Sequence, residues 1–433
     1  HTNRARIIEE LEVVSKTGPI PLTNVCAEVE ATMAVLNPSG SNPDAFFQGA
    51  QLLKKLQDNA ICAVTLGELS FRQCARLVRN FSNVGVFNSE LLYAVANAAV
   101  PASQATLDKR ITDAQKGELG ENLQRIALAL AKAGIEHDKF FNHVEKVFPS
   151  LVEHCYHRSS CGMLWAFATL RRYNEDFFGR VTDVVTRRCS ELPVPDIAIV
   201  LWSLATTLPY KGASPHARAF ARCAGDVLLR TDLEDLQKCT TRSIVMMMRS
   251  LVKLGKQGGE VGEWLPPTLG YISKAVKIED CNAHDLTIFA SAHAHAHLNA
   301  ETLDEVYSRA KSLLHKFDAH KLSTILWAST RLDRRDLPFL SAIVNMVKHK
   351  PDIWSNASTE ALANYATAYA KATFWSPLIF STIAKELESR DKVAPRDLVQ
   401  LARAYTTIVQ RVREKNENED DEDDTMDVYP EDY

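Results

Sequence analysis

The sequence predicts an all-α fold, a right-handed α-solenoid of about eight to ten helix-turn-helix repeats. Three observations lead there. A short apolar motif recurs every 36 to 38 residues over much of the chain. Ala- and Leu-rich stretches dominate, and these favour helix because Ala loses no side-chain entropy there. Alternating Val/Ile/Thr patterns are rare, and 17 glycines and 17 prolines among 433 residues are few for a turn-rich β-protein. No sheet is expected.

The clearest motif is Met163-Leu164-Trp165-Ala166-Phe167-Ala168-Thr169-Leu170, which recurs as Val200-Leu201-Trp202-Ser203-Leu204-Ala205-Thr206-Thr207, 37 residues on. A third copy is Ile325-Leu326-Trp327-Ala328-Ser329-Thr330. A degenerate copy, Ile288-Phe289-Ala290-Ser291-Ala292, puts Phe289 in the tryptophan place, 38 residues before Trp327. Further copies start near Cys74, Ile126, Val245, Leu362 and Leu398. Second halves are marked by Leu91-Leu92, Phe140-Phe141, Phe177-Phe178 and Leu337 to Leu340. Each unit therefore reads as helix A, a short turn, helix B and a connector. Neither helix can bury its apolar face alone, so stacking stabilises the array, with Trp165, Trp202 and Trp327 expected between units. Asn282, Asp318 and Ser358 precede helices A as caps, Pro195 opens another, and Gly134 and Gly255 fall in A–B turns.

Three segments break the period. Residues 1–60, divided by a turn cluster at 37–43, read as an N-terminal helical cap or degenerate repeat. The array occupies 61–413, with an insertion near 101–118. Residues 414–433 form an acidic tail of eleven carboxylates and one lysine, expected to be disordered alone. Without the tail the body carries 49 basic and 43 acidic residues, a charge of +6 that hides behind the overall −4. A mildly basic body suits nucleic-acid contact without requiring it.

Nine cysteines with no C-x-x-C pair point to a reducing compartment and buried thiols. No apolar run reaches the ~20 residues of a membrane helix, so no membrane is expected. The first residue is His1, so the lack of a visible signal peptide says nothing about targeting.

No nucleotide-loop or nucleophile-elbow motif is present, and no catalytic residue, metal or cofactor is assigned. His284, His293, His295 and His297 form the most conspicuous cluster; His293 and His297 would share a helix face as a metal pair does. A third ligand is missing, and His293 aligns with Thr206, so polar solenoid surface is the favoured reading. His154, Cys155, His157 and Cys161 match no zinc framework. Basic residues recur around the end of helix A: Lys132, Arg171, Arg172, Lys211, Lys253, Lys256, Arg331, Arg334, Arg335 and Lys371. In a solenoid they would form an edge stripe able to follow a phosphate backbone. Cations at a helix C-terminus also gain ~0.3–1 kcal/mol each from the macrodipole, which explains the same placement without a ligand.

The 36–38-residue helix pair with its Leu-Trp-Ala-type helix A resembles the octotricopeptide, heptatricopeptide and FAST-kinase-like repeat families over roughly residues 70–410. The repeats are also similar to helical-repeat subunits of the kinetoplastid mitochondrial RNA-editing substrate-binding complex, which holds guide RNA and messenger RNA. The resemblance implies a mitochondrial matrix protein, other subunits as partners, and RNA bound weakly alone. It implies a non-catalytic scaffold; the C-terminal RAP module that many such proteins carry is absent from this sequence. Two alternatives stand beside it: a protein-only scaffold or mitoribosome assembly factor, and a metal-dependent RNA-processing enzyme built on the histidines.

Overall fold

The computed structural model describes residues 57–83, 85–207, 213–257, 260–390 and 392–419. Apart from one small hairpin the described residues are helical, and residues 1–56 of the expected cap lie outside them. The chain forms two compact units, His1–Phe220 and Ala221–Tyr433.

In the first unit, α1 (Phe71–Asn83), α3 (Asp113–Lys132), α5 (His157–Thr169) and α7 (Val194–Thr206) pack in sequence, each against the next. They are the A helices. The B helices α2 (Ser89–Leu107), α4 (Asp138–Leu151) and α6 (Glu175–Arg187) form a second layer. The division between the units falls within α8 (Pro215–Arg230). In the second unit a short α9 (Leu233–Gln237) precedes the A helices α10 (Thr241–Gly255), α12 (Ala283–Ala296), α14 (Ala319–Arg331), α16 (Thr359–Lys371) and α18 (Pro395–Glu419). Their B partners are α11 (Leu265–Ser273), α13 (Thr302–Ser312), α15 (Leu337–His349) and α17 (Pro377–Glu388). Each unit is thus an all-α, two-layer stack of helix pairs, the solenoid architecture. Between most B helices and the next A the chain makes a single 3₁₀ turn, as at Cys189–Glu191 and Leu314–Lys316.

The A–B turn fixes the register. Gly85, Gly134, Arg171, His297, Asp333 and Thr373 have left-handed backbones with φ between 49° and 75°. The residue after each returns its N–H to a carbonyl near the end of helix A: Arg172 to Phe167 and Arg334 to Ser329, at 3.0 and 2.9 Å. This Schellman closure satisfies carbonyls that the helix end would leave bare. Four of these residues are not glycine, at a cost of about 1–2 kcal/mol each. Three residues further on, Asn88, His137, Asn174, Asp336 and Ser376 cap helix B through their side chains. Asn282, Asp318 and Ser358 cap helices A as expected.

Counting back from the left-handed residue corrects the sequence alignment. Trp165 and Trp327 stand six residues before Arg171 and Asp333; six before His297 is Ser291, not Phe289. Phe289 instead shares the eighth place back with Met163, Ile325 and Tyr365, all fully buried. The three tryptophans are not enclosed between units. They are half-buried; Trp165 and Trp327 hold the sixth place back from the left-handed residue. Trp165 and Trp202 lean on one another there, ring centres 6.4 Å apart.

Three further expectations change. The extra residues near 101–118 form no separate insertion: they lengthen α2 and α3 to 19 and 20 residues. The expected absence of sheet fails at one A–B turn, where Lys256–Gln257 pairs antiparallel with Glu260–Val261. Gly258-Gly259 stands between them in the sequence, a dipeptide suited to a two-residue hairpin. Gly255 ends α10 without a left-handed turn; a Cβ there would meet Leu265 Cδ2 at 3.0 Å, so a larger residue would need Leu265 to shift by a few tenths of an ångström. Finally, α18 runs on to Glu419, into the segment read as tail; residues beyond 419 lie outside the described ones.

Candidate nucleic-acid interface

The basic residues predicted as one stripe separate by what their side chains touch. Lys132, Arg331 and Lys371 all stand two residues before the left-handed turn and reach back to the end of the preceding helix A. Lys132 Nζ lies 3.5 Å from Asn83 Oδ1, Arg331 Nε donates to the Ala294 carbonyl at 2.9 Å, and Lys371 Nζ to the Thr330 carbonyl at 2.9 Å. Arg411, which sequence reasoning missed, does the same to the Ala370 and Lys371 carbonyls at 3.3 Å. These cations cap a neighbour's helix, where the macrodipole favours them.

Arg172 and Arg334, one residue after the left-handed turn, reach into the preceding B helix. Arg172 bonds Asp138 Oδ1 at 2.5 Å and Asn142 Oδ1 at 2.6 Å, with its guanidinium 5.5 Å from the Phe141 ring centre. Arg334 grips Asp304 with two nitrogens, Nε at 2.9 Å, and holds that carboxyl below the usual range. Both are clamps between repeats. Arg171 is exposed at its turn, Arg335 lies 3.5 Å from Asp333, and Lys211 falls outside the described residues. The aromatic residues Tyr173 and Trp375 at the same edge pack on Phe178 and Phe380, as hydrophobic staples before helix B.

Other cations gather on the outer face of the A helices. In the first unit a groove is lined by Arg79, Gln124, Arg125, Lys132, Tyr156 and Arg158. Glu121 also lines it and pairs with Arg125 at 3.0 Å. Burial lowers the Arg125 pKa; Glu121 opposes this, and Arg79, Arg72 and Arg76 add to it. Tyr156 is three-quarters exposed beside this groove.

In the second unit a groove of about 360 Å³ runs between α10, α12 and α14. Arg249, Lys253, Lys256, His284, Ser291 and His295 line it, and no carboxylate does among the described residues. Lys256 Nζ lies 3.1 Å from His295 Nε2. Burial, then Arg331, lowers the Lys256 pKa; burial, then Arg249, lowers that of Lys253. Burial, Lys256, Arg331 and His297 together bring His295 down to about 4, so it faces Lys256 as a neutral acceptor.

The sequence therefore found Lys253 and Lys256 but missed Arg79, Arg125, Arg158 and Arg249. A signal existed for Arg79: it stands six residues before Gly85, in the tryptophan place, and so on the outer face. Finding it required the register that the turn residues supply.

The histidine and cysteine clusters resolve into unrelated roles. His293 is not surface, as its alignment with Thr206 suggested. It stands four residues before His297, a buried place shared with Phe167 and Tyr369. Its Nδ1 meets the Phe289 carbonyl at 3.0 Å, its ring lies 4.1 Å from that of Phe289, and burial lowers its pKa. His297 is exposed, with Nε2 3.1 Å from Arg331. His157 bonds Asp196 at 2.9 Å, while Cys155 and Cys161 are buried thiols pushed up by desolvation, Cys155 to about 12. Among the described residues, no three metal-binding side chains converge, and no helix is long and apolar enough to cross a membrane.

No family model matches the chain, and no curated protein does. Among solved structures, the chain is similar to a circular tandem repeat protein with novel repeat topology and enhanced subunit contact surfaces. That match has 13% identity and a TM-score of 0.24, covering 92% of this chain and 98% of that one.

Proposed function

We propose that this protein is a non-catalytic scaffold of a mitochondrial RNA-processing assembly, with RNA editing as the suspected process. It holds protein partners on its repeat surfaces and touches RNA phosphates through the outer faces of its A helices. The observation that carries the RNA reading is the cationic groove of the second unit, which no carboxylate lines among the described residues. Arg172, Arg334 and Lys371 brace the fold through acidic or carbonyl partners. Arg249 and Lys253 stand one turn apart on α10, and Arg249 lowers the Lys253 pKa, after burial. Such a face gains most from a phosphate backbone. The residues at the turns are weaker candidates, since several are already engaged.

A protein-only scaffold is the second reading. Lys132, Arg331 and Lys371 favour it, because each has a structural partner on the preceding repeat. A salt titration of RNA binding separates the two. Replacing Arg79, Arg158, Arg249 and Lys253 by Ala should weaken binding and lower the log–log salt slope by about 1 for each phosphate that is no longer neutralised. Replacing Arg171 and Arg335 by Ala should leave the slope nearly unchanged. If the unaltered protein binds no RNA at low salt, the RNA reading fails and the protein-only scaffold stands.

A further inference from the structure

We infer that the first unit's groove holds one unpaired nucleotide of an RNA strand. Gln124 meets the base edge, Tyr156 stacks on the base, and Arg79 and Arg158 take the flanking phosphates. The identity of the ligand rests on the RNA reading above.

Gln124 of α3 is only 8% exposed, yet its carboxamide has no hydrogen-bond partner among the described residues. It lines a groove of about 570 Å³, a volume in the range of small-molecule sites. A Cβ on Gly162 of α5 would run into Gln124 Nε2, so the glycine leaves the room that the carboxamide occupies. A buried amide without a partner costs stability, and a ligand that brings both a donor and an acceptor removes that cost. The edge of an unpaired base carries the two side by side, and a carboxamide answers both.

Tyr156 departs from the pattern of the array. It is the N-cap of α5, a place where α3, α10, α12, α14 and α16 carry Thr112, Thr240, Asn282, Asp318 and Ser358, each accepting a backbone N–H. Tyr156 makes no such bond, and its ring is three-quarters exposed beside the groove. Arg158, in the first turn of the same helix, is a cation where the macrodipole opposes one. Two choices that weaken the start of α5 therefore meet at one groove. Both suit a nucleotide, the ring by stacking and the guanidinium by pairing with phosphate.

Two cations of the groove remain available. Glu121 also lines it but pairs with Arg125 at 3.0 Å, and Arg125 further donates to Asn122 at 2.7 Å. Lys132 is turned to Asn83, and His157 to Asp196. Arg79 and Arg158 are exposed and have no acidic or carbonyl partner among the described residues. They stand on α1 and α5, the two A helices that pack on α3, and so flank Gln124. Charge on both flanks suits the phosphates before and after a base in a strand, where a free mononucleotide would use one.

Fluorescence anisotropy of a short labelled oligoadenylate, titrated with the full chain over a range of salt, tests the site. Tyr156→Ala should weaken binding about tenfold with an unchanged salt slope, because it removes stacking and no charge. Tyr156→Phe, which keeps the ring, should bind as the unaltered protein does. Tyr156 is exposed, so neither change threatens the fold. Gln124→Met, similar in volume, should weaken binding about fivefold. Arg158→Gln should lower the log–log slope by about 1, while Lys348→Gln, an exposed change on α15, should alter neither affinity nor slope. If the unaltered protein binds and Tyr156→Ala and Gln124→Met bind equally well, the site is overturned and the RNA reading stands. If nothing binds at low salt, both fail. If AMP alone binds as tightly as the oligonucleotide, the ligand is a free nucleotide and the strand assignment is overturned.

Discussion

Four residues before the left-handed turn, the first unit carries Phe81, Leu130 and Phe167, whereas the second carries His293, Ser329 and Tyr369. All six are buried. Around Phe167 the core is wholly aromatic: Phe177 stacks on it at 4.3 Å and Phe141 meets it edge-on at 5.2 Å. In the second unit the same place is polar, and His293, Ser329 and Tyr369 each have a hydrogen-bond partner. Tyr307 donates to Ser329 at 2.6 Å, and Tyr369 to the Leu340 carbonyl at 2.8 Å. Tyr365, one turn earlier in α16, donates to the Ala319 carbonyl at 3.1 Å. Burial of apolar area holds the first core and is indifferent to small sliding. The second adds directional bonds whose loss leaves a buried group unsatisfied, so it also fixes which atoms must meet. The same repeat geometry therefore tolerates two chemistries at one place, one apolar and one hydrogen-bonded.

Three measurements break or sharpen that contrast. The largest effect belongs to the aromatic core. Phe167→Ala should cost about 3–5 kcal/mol, because the cavity it leaves is lined by packed rings that cannot collapse into it. Chemical denaturation reads this directly; a loss under ~1 kcal/mol, far below that range, would mean the phenylalanine cluster is not the stabilising centre of its unit.

A smaller loss is expected when a hydroxyl is removed from the second core. Tyr369→Phe keeps the ring but abandons the Leu340 carbonyl, at about 1–2 kcal/mol. The converse change, Phe167→Tyr, should destabilise too, since the first core offers no arranged partner. Should Phe167→Tyr prove neutral while Tyr369→Phe is also neutral, the two cores are not chemically distinct in the way proposed.

The smallest effect is in pH. His293 and His295 have folded-state values lowered from the ordinary 6.5, His295 to about 4, mainly by burial. The neutral ring is the form the fold accepts. Stability present above 6.5 should therefore decline as pH falls toward 4, when the unfolded chain binds protons that the folded one refuses. Solvent screening at the half-exposed His295 keeps the change modest. A denaturation midpoint followed down this range, in wild type and in His295→Gln, checks it; equal slopes would remove His295 from the account.

Much of this architecture was legible in the sequence. The helix period, the Phe140-Phe141 and Phe177-Phe178 starts of helix B and the caps Asn282, Asp318 and Ser358 all depend on local patterns. A cap is a contact within one turn, and an apolar repeat records which face must be covered; neither needs knowledge of distant residues.

What the sequence left open is everything decided between repeats. A shift of two residues placed Phe289 and His293 wrongly, because four of six turns use Arg171, His297, Asp333 and Thr373 where glycine would have marked the register. Spacing grouped the cations into one stripe, but only packing shows that Arg172 and Arg334 are held by Asp138 and Asp304, about thirty residues away. The cationic groove likewise depends on which helices stand side by side and on the hairpin that begins at Lys256. Local propensity and periodicity are properties of neighbours in the chain, so sequence determines them. The charge a residue has to spare depends on its neighbours in space, and the tertiary structure alone decides that.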